Sequence, residues 1–418
     1  MFIRKDKGGI TLLSRDEMKV DQKPYRVDGS IYQRFPVTNQ AFAIVSTRDM
    51  GEPSYLGFLE KMHKNLGTRM QQGDKGFSRE ENARDLGANA MNLILGSYGF
   101  PNHQFLQWKS MIVPEHLSKM PVGNSSKELT DMVKNTAKLY GSDLTGITEL
   151  DEKWIYSKDM EKPFIIIDEG EPEEKEEGFY IPRSMNRAIV LAFLMDEEMI
   201  YESPELDASV ATSFGYSRMG ITAVSLAEYI RALGYRAIPS MNDTALSIPL
   251  AVDAGLGQLG RHGLLITPEY GSNVRLAKVL TDMPLEPDQP IDFGITEFCE
   301  NCILCAEHCP PEAITQGEQT IDCNQITGNS GVKKWYIKGE RCLNFWQENG
   351  ASCANCIAVC PFTYGFESMQ CFECKGCAER DRGCILQTNT LYRIENGYLK
   401  QERWADRGEV MIPRRRGL

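Results

Sequence analysis

The sequence predicts an α/β protein that carries a small, cysteine-rich second unit towards its C-terminal end. Segments with the apolar patterns of strands and helices alternate between residues 151 and 297, which is typical of layered α/β folds. All 13 cysteines lie between Cys299 and Cys384. A disulfide-stabilised secreted protein would spread its cysteines through the chain, so this clustering indicates metal ligation instead.

Composition argues against several classes of protein. The chain has 418 residues, of which 42% are hydrophobic and 25% charged, as in a folded rather than a disordered protein. Its net charge of −12 argues against a protein that grips nucleic acid through the phosphates. The longest apolar run, Ala188–Met195, is far shorter than the roughly 20 residues of a membrane-spanning helix. We expect no signal peptide within MFIRKDKGGI, because this N-terminal stretch lacks an apolar segment.

The predicted elements follow from capping signals and apolar periodicity. Ser78 and Glu81 form a capping-box pattern that predicts a helix to about Leu95. The continuous apolar run 187–196 is typical of a strand buried on both faces. Helical spacing over 221–233 ends at Gly234, which suits a left-handed C-cap. Shorter strands are predicted over 164–167, 179–181, 235–239 and 264–267, with an acidic solvated loop over 169–178 and a glycine-rich segment over 253–263.

The first cysteine motif has the spacing of a bacterial ferredoxin. It reads C-x2-C-x2-C-x3-C-P and ends at Cys309-Pro310. In two-cluster ferredoxins the first three thiolates bind one [4Fe–4S] cluster, and the fourth is turned towards the other cluster. Thiolates are soft ligands that suit iron–sulfur clusters, with zinc as the alternative.

A second motif completes two sets of four ligands. Cys342 is followed by C-x2-C-x3-C-P, which ends at Cys360-Pro361. If the last cysteine of each motif crosses to the other cluster, the ligand sets are defined. The first set is Cys299, Cys302, Cys305 and Cys360, and the second is Cys309, Cys342, Cys353 and Cys356.

The remaining cysteines have no such ending. A third group has the pattern C-x2-C-x2-C-x6-C, which is compatible with zinc, with a further cluster, or with structural thiols. Its members are Cys371, Cys374, Cys377 and Cys384. Cys323 is isolated, and we interpret it as a residue that binds no metal.

Three polar residues of the α/β region lie in short, distinctive segments. Tyr216 lies in FGYSRMG, Asn242 in PSMNDTAL and Arg275 in YGSNVRLAK. A tyrosine beside a glycine usually packs in the core, and an arginine on a helix is usually solvated. Taken singly, these residues therefore leave a catalytic and a structural role open.

Longer segments resemble a known family. They comprise 255–260 (GLGQLG), 267–275 (TPEYGSNVR), 281–285 (TDMPL), both cluster motifs, and Lys334-Trp-Tyr336 leading to Cys342-Leu-Asn-Phe-Trp346. In combination they resemble the cobalamin-dependent reductive dehalogenases, and more closely the respiratory members that act on tetrachloroethene or chloroalkanes. The resemblance covers about residues 185–365, and the segment after Phe366 departs from the family pattern.

The resemblance implies a fold and a domain organisation. We expect a nitroreductase-like α/β core that binds a base-off corrinoid, and a small α+β, ferredoxin-like domain with two [4Fe–4S] clusters. The chain has five histidines and no D-x-H-x-x-G motif, in keeping with a corrinoid that lacks a histidine ligand. The expected units are an N-terminal unit packed on the core (1–150), the core (151–297), the cluster domain (298–365) and a C-terminal extension (366–418). Expected corrinoid contacts are Gly257, Gly260, Ser272 and Asn273.

The resemblance also implies catalytic roles. The proton donor of the family corresponds to Tyr216, its partner asparagine to Asn242, and its active-site arginine to Arg275. Replacing a carbon-bound halogen by hydrogen needs two electrons and a proton, and the corrinoid would supply the electrons after reduction through the clusters. A phenol keeps its proton at neutral pH and can donate it, and a nearby guanidinium favours the phenolate that remains.

Partners and location follow from the same resemblance. We expect a small halogenated substrate, electrons from a quinone-linked chain, a small membrane-anchor protein and no nucleic acid, while a homo-oligomer is left open. If a twin-arginine signal has been removed, the protein would lie at the outer face of the cytoplasmic membrane; otherwise it would be cytoplasmic. Two alternatives remain: an epoxyqueuosine reductase-like enzyme acting on transfer RNA, and an iron–sulfur electron carrier with a structural body.

Overall fold

The computed structural model describes residues 2–6, 9–48, 55–98, 106–113, 117 and 119–364. The predicted extension over 366–418, with its four cysteines, lies outside these residues. Among the described helices, none has both the length and the apolar character needed to cross a membrane.

The N-terminal part is a hairpin followed by three helices. The strands β1 and β2 pair antiparallel. The elements are β1 (Phe2–Asp6), β2 (Gly9–Leu13), α1 (Ala41–Arg48), α2 (Tyr55–Gln72) and α3 (Arg79–Tyr98). The predicted capping box precedes α3, because the Ser78 amide donates to the Glu81 carboxylate (2.6 Å) and the Glu81 amide donates to the Ser78 hydroxyl (3.3 Å).

The middle of the chain alternates strands and helices, as predicted. In chain order its elements are α4 (Ser126–Leu139), β3 (Leu144–Glu149), β4 (Phe164–Ile167), β5 (Glu173–Glu174), β6 (Phe179–Pro182), β7 (Arg187–Leu194), α5 (Glu197–Tyr201), α6 (Leu206–Ala232), β8 (Ala237–Ser240), α7 (Ser247–Asp253), β9 (Gln258–Leu259), β10 (Leu265–Ile266) and β11 (Val274–Thr281). The cysteine-rich part adds α8 (Ile295–Asn301), α9 (Leu304–Glu307), α10 (Gly339–Asn349) and α11 (Asn355–Ala358).

A four-stranded antiparallel sheet in the order β3-β7-β11-β8 forms the centre of the fold. The apolar run predicted as a doubly buried strand is β7, and its six central residues are buried. Since β3 pairs along β7, the core sheet begins before the predicted domain boundary at residue 150. The strand–helix–strand pattern from β7 to β8 is real, but β11 lies between these two strands and runs antiparallel to both.

Alternate residues of β7 enter two separate cores. Ala188, Val190 and Ala192 pack with α7 and with the small β4-β6-β5 sheet. Ile189 and Phe193 pack on the opposite face, against α4 and α6. The acidic segment 169–178, predicted to be a solvated loop, includes β5, which pairs with β6. The central sheet is therefore covered on both faces, as expected for an α/β layer structure.

The helix α6 is much longer than the sequence suggests. Helical spacing predicts only residues 221–233, whereas α6 begins at Leu206 and includes Gly215 and Gly220. Glycine lowers helix propensity, but these two positions lie against neighbouring side chains and are buried, so tertiary packing decides. This difference matters because Tyr216 lies in the part of α6 that the spacing missed.

The N-terminal helices contact both the α/β core and the cysteine-rich part. The helix α3 packs along α6, where Ser217 Oγ donates to the Ala88 carbonyl (2.6 Å). The helix α2 packs on α10, where Asn65 Nδ2 donates to the Gln347 carbonyl (2.7 Å). These helices therefore contact both the central sheet layer and the cysteine-rich part.

Candidate active site and cysteine clusters

Tyr216, Asn242 and Arg275 come together although they belong to three different elements. Asn242 Nδ2 donates a hydrogen bond to the Tyr216 phenol oxygen at 2.6 Å. Arg275 Nη1 makes a longer contact with the same oxygen at 3.5 Å. The Arg275 guanidinium carbon also lies 4.8 Å from the centre of the Tyr216 ring. The structure thus assembles the trio that the resemblance implied.

The register of the central sheet brings Arg275 to α6. Ala277 and Val279 of β11 face the core under α6, and Arg275 follows the same alternation at the strand's beginning. Gly215 makes the approach possible, because a Cβ atom there would lie 3.0 Å from Arg275 Cγ. A side chain at position 215 would therefore compete with Arg275 for space.

A tightly bonded turn after β8 presents Asn242. Asp243 accepts hydrogen bonds from the Met241 amide (3.0 Å) and from the Thr244 hydroxyl (2.7 Å). From the opposite face of β11, Lys278 Nζ donates to the Met241 carbonyl (2.6 Å) and to Ser247 Oγ (3.1 Å). Burial lowers the pKa of Lys278 to about 8. The hydrogen bond from the fully buried Lys278 amine to the Met241 carbonyl thus helps to fix this turn.

The direction of these hydrogen bonds determines what the phenol can do. Asn242 and Arg275 both act as donors to the phenol oxygen, so the hydroxyl proton is left to be donated elsewhere. The same two donors stabilise negative charge on that oxygen once the proton has gone. Tyr216 is half-buried and Asn242 is exposed, so the trio lies near the protein surface.

Two buried polar atoms, one of them in the trio, have no partner among the described residues. They are Arg275 Nε and Asn273 Oδ1, although Asn273 Nδ2 donates to the Met195 carbonyl (2.9 Å). Buried polar atoms normally find partners, so one free donor and one free acceptor suit a ligand with polar groups of both kinds. The peripheral amides of a corrinoid are groups of that kind.

The other three predicted corrinoid contacts have protein neighbours. A Cβ at Gly257 would lie 2.1 Å from the Ile266 carbonyl oxygen, and one at Gly260 would lie 2.7 Å from Ile266 Cδ1. The close packing of β9 on β10 therefore explains glycine at both positions. Ser272 is buried beside the cysteine-rich part, with its hydroxyl 3.2 Å from that of Thr363.

The cysteines of the first predicted set line one cavity. Cys299, Cys302, Cys305 and Cys360 all face it, although Cys360 is more than 50 residues from the others. Burial raises the pKa of the Cys302 thiol to about 12, as expected for a thiol that is removed from water. Cys360 thus lies beside the first three cysteines of the other motif, where the predicted ligand set requires it.

The second predicted set is also gathered in space. Burial raises the pKa of the Cys353 thiol to about 12, and the nearby Cys342 and Cys309 contribute to this increase. Burial raises the pKa of Cys356 as well, and Cys353, Cys342 and Cys309 again act on it. In the described part of the chain, no group of three cysteine, histidine or carboxylate side chains is arranged to hold a single metal ion.

Two residues of the first cavity carry no recognisable sequence signal. Arg261 is almost fully buried and donates to the carbonyl oxygens of Cys299 (2.7 Å) and Cys302 (3.1 Å). His262 also lines the cavity, and burial lowers its pKa to about 4. Both lie in the glycine-rich segment 253–263, in which only glycines were predicted to have a role.

Comparisons with known proteins agree with this architecture. Residues 160–285 match the family model described as a reductive dehalogenase subunit. The tetrachloroethene reductive dehalogenase of Sulfurospirillum multivorans is 38% identical over 323 residues, which cover 72% of this chain and 64% of that protein. The corresponding protein of Dehalobacter restrictus is 38% identical over 315 residues, which cover 66% of this chain and 54% of that protein.

A solved structure shows the same mixed α/β fold. The catabolic reductive dehalogenase NpRdhA, in complex with 3-bromo-4-hydroxybenzoic acid, is similar with a TM-score of 0.64 and 21% identity. The match covers 90% of this chain and 49% of that protein. The chain therefore spans about half to two thirds of the length of these proteins. By the family model and by these relatives, residues 160–285 of the chain form a reductive dehalogenase domain.

Proposed function

We propose that this protein is a reductive dehalogenase that replaces a carbon-bound halogen by hydrogen, with Tyr216 as the proton donor. The reaction consumes two electrons and one proton and releases halide. The observation that carries the proposal is the convergence of the Asn242 amide and the Arg275 guanidinium on the Tyr216 phenol oxygen. An oxygen that accepts from two donors is prepared to lose its own proton.

The three residues have distinct roles in this proposal. Tyr216 donates its hydroxyl proton to the carbon that loses the halogen. Arg275 stabilises the phenolate electrostatically, and Asn242, at 2.6 Å, orients the phenol. Because Asn242 belongs to an exposed turn, a proton from solvent can restore the phenol after each turnover.

The cofactors belong to the proposal as well. A base-off corrinoid would supply the electrons for breaking the carbon–halogen bond. Asn273 and Arg275 fit a role in holding it, because Asn273 Oδ1 and Arg275 Nε are buried without a partner among the described residues. Two sets of four cysteines, the first buried and the second half-buried, would hold [4Fe–4S] clusters that carry electrons inwards.

The substrate class is proposed from the site and the relatives together. Two similar proteins bear the name tetrachloroethene reductive dehalogenase, and NpRdhA binds a brominated hydroxybenzoate. We propose a small organohalide for this chain. The quinone-linked electron donor, the anchor protein and a location at the outer face of the cytoplasmic membrane remain predictions.

Anaerobic turnover tests the proposal. The full chain, reconstituted with corrinoid, iron and sulfide, is supplied with reduced viologen and a panel of chlorinated ethenes, chlorinated ethanes and halogenated phenols. Halide release is measured for the wild type, for Tyr216→Phe, and for Tyr229→Phe as a control on the same helix. We expect Tyr216→Phe to lose about 10²- to 10⁴-fold in rate with its cofactor content unchanged.

The control separates catalysis from packing. Tyr229 belongs to α6 and packs, partly buried, against the core beneath that helix. It lies outside the trio, so Tyr229→Phe should retain the wild-type rate. If Tyr216→Phe retains most of the activity, Tyr216 is not the donor. If the loaded wild type releases no halide from any compound, the proposed activity is wrong.

A further inference from the structure

His262 lies in the turn between β9 and β10 and faces the first cysteine cavity. Its side chain is about 95% buried, since only 5% of its surface is exposed. It lines the cavity together with Cys299, Cys302, Cys305 and Cys360. No motif in the sequence assigns it a role, and the proposed reaction does not use it.

The hydrogen bonds of the ring show which nitrogen carries the proton. The Leu264 amide donates to His262 Nδ1 at 3.2 Å, so Nδ1 is an acceptor and has no proton. In a neutral imidazole the proton is then on Nε2. Nε2 is buried and has no hydrogen-bond partner among the described residues. A buried N–H group without a partner is unusual, because its removal from water is not compensated.

Packing fixes the position of this ring. A Cβ at Gly260 would lie 2.8 Å from His262 Cε1, the ring carbon next to Nε2, so the absence of a side chain at 260 makes room for the imidazole. The adjacent Arg261 donates to the carbonyl oxygens of Cys299 and Cys302, which ties the segment to the ligand loop. These contacts therefore fix the position of the free N–H group relative to the cysteine sulfurs.

We propose that the His262 Nε2–H group donates a hydrogen bond to a sulfur of the cluster bound by Cys299, Cys302, Cys305 and Cys360, and thereby raises that cluster's reduction potential. This inference rests on the proposed function, because it requires the cluster. Reduction adds negative charge to the cluster, so a donor to sulfur stabilises the reduced form more than the oxidised form. His262 then makes this cluster easier to reduce and acts as a positioning and tuning residue.

Redox titration of the full chain tests the inference. The wild type, His262→Phe, His262→Gln and the exposed control His63→Gln are reconstituted anaerobically with iron and sulfide, and the clusters are followed by electron paramagnetic resonance. Phenylalanine keeps a planar ring without a donor. We expect His262→Phe to lower the equilibrium constant for reducing one cluster about tenfold, which corresponds to about 59 mV for one electron. The other cluster should keep its potential.

The remaining samples distinguish hydrogen bonding from packing. His262→Gln can still donate an N–H, so it should recover most of the potential, and His63→Gln should match the wild type. In the reduced wild type, electron–nuclear spectroscopy should show an exchangeable proton and a histidine nitrogen coupled to this cluster. That measurement needs no variant and so remains decisive if His262→Phe cannot be loaded.

Three results would overturn the inference: an unchanged potential in His262→Phe, equal shifts in the phenylalanine and glutamine variants, or no exchangeable coupling in the wild type. A wild type that incorporates no cluster would overturn both this inference and the cluster part of the proposed function. A loaded protein that shows the shift but dehalogenates nothing would uphold the role of His262 and overturn the proposed activity.

Discussion

The tyrosine site and the cysteine region are built in opposite ways. Tyr216, Asn242 and Arg275 come from a helix, a turn and a strand, and they meet because the register of the sheet places them together. Seven of the eight predicted cluster ligands instead lie in two short motifs whose spacing is visible in the chain. Most ligands of a predicted cluster come from one local loop, whereas a proton donor needs groups that approach one atom from several directions.

The two regions also differ in what their polar groups contact. At the cysteine cavity, Arg261 donates to backbone carbonyls of the ligand loop, so it fixes the shape of the cavity wall. At the tyrosine site, the side chains of Asn242 and Arg275 both donate to one phenol oxygen, the atom that we propose loses a proton. Substitutions should therefore remove a cofactor in the first region and change a rate in the second.

The largest effect is expected from exchanging a crossing cysteine. Cys309→Ala should lose the cluster of Cys342, Cys353 and Cys356, and with it turnover, while the cluster of its sequence neighbours survives. Cys305→Ala, the matched variant, should lose the other cluster. Iron analysis with electron paramagnetic resonance identifies the missing cluster. If Cys309→Ala lost the cluster of Cys299 instead, local motif position would outweigh the spatial grouping of the thiols.

The next effect concerns the coupling of Tyr216 and Arg275. Arg275→Leu should reduce the rate about 10- to 100-fold, since it removes a charged donor to the phenol oxygen. Added to Tyr216→Phe, it should cost almost nothing further, because both changes act on one proton transfer. Single-turnover rates of the two single variants and the double variant measure this. Additive losses would mean that Arg275 acts independently of the phenol.

The sequence predicts these two regions to different depths. The cysteine spacing and the C-P endings predict both ligand sets without any knowledge of the fold, because a cluster-binding loop has a fixed local form. The trio was found only through resemblance, since no local pattern shows that Arg275 lies opposite Phe193 in the sheet. The first half of α6 was missed because Gly215 and Gly220 weaken the helical signal, and tertiary contacts override it.

The residues that were hardest to predict are those that contact the backbone around a site and not its reacting atoms. Lys278 is three residues beyond Arg275 and reads as an ordinary strand lysine, yet it is fully buried and bonded to the Met241 carbonyl. His262 and Arg261 lie in a segment whose only distinctive sequence pattern is its glycines. Their roles depend on which neighbour each side chain meets, and only the packed structure shows that.

Lys278 allows a pH-dependent test of the tyrosine site's support. Burial lowers its pKa to about 8 in the folded protein, against about 10.4 in the unfolded chain. Between these values the unfolded state binds more protons, so the free energy of unfolding rises with pH. Below about pH 8 both states are protonated, and the cost of burying the charge is fully present.

Lys278→Met removes this dependence. From about pH 8 to about pH 10, the wild type should gain about 2 kcal/mol relative to the variant, as measured by urea unfolding. The exposed Lys158→Met is the control and should follow the wild type at every pH. Parallel pH profiles for wild type and Lys278→Met would show that the buried amine is not shifted.

The smallest expected effect comes from one methyl group at Gly215. In Gly215→Ala the new Cβ would lie 3.0 Å from Arg275 Cγ and 3.6 Å from Met195 Cγ, so Arg275 must move by a few tenths of an ångström. Alanine favours the helix by about 1 kcal/mol, which offsets the crowding and keeps the melting temperature near that of the wild type. The rate should still fall about 3- to 10-fold, because a small displacement of a charged donor weakens its contact with the phenol.

Gly220→Ala is the matched control on the same helix, since its Cβ would meet the flexible end of Leu95 and not Arg275. Halide release and thermal unfolding of both variants decide the outcome. Equal rates in the two variants would mean that the tyrosine site tolerates such displacement, and its dependence on exact assembly from three elements would be weaker than the geometry implies.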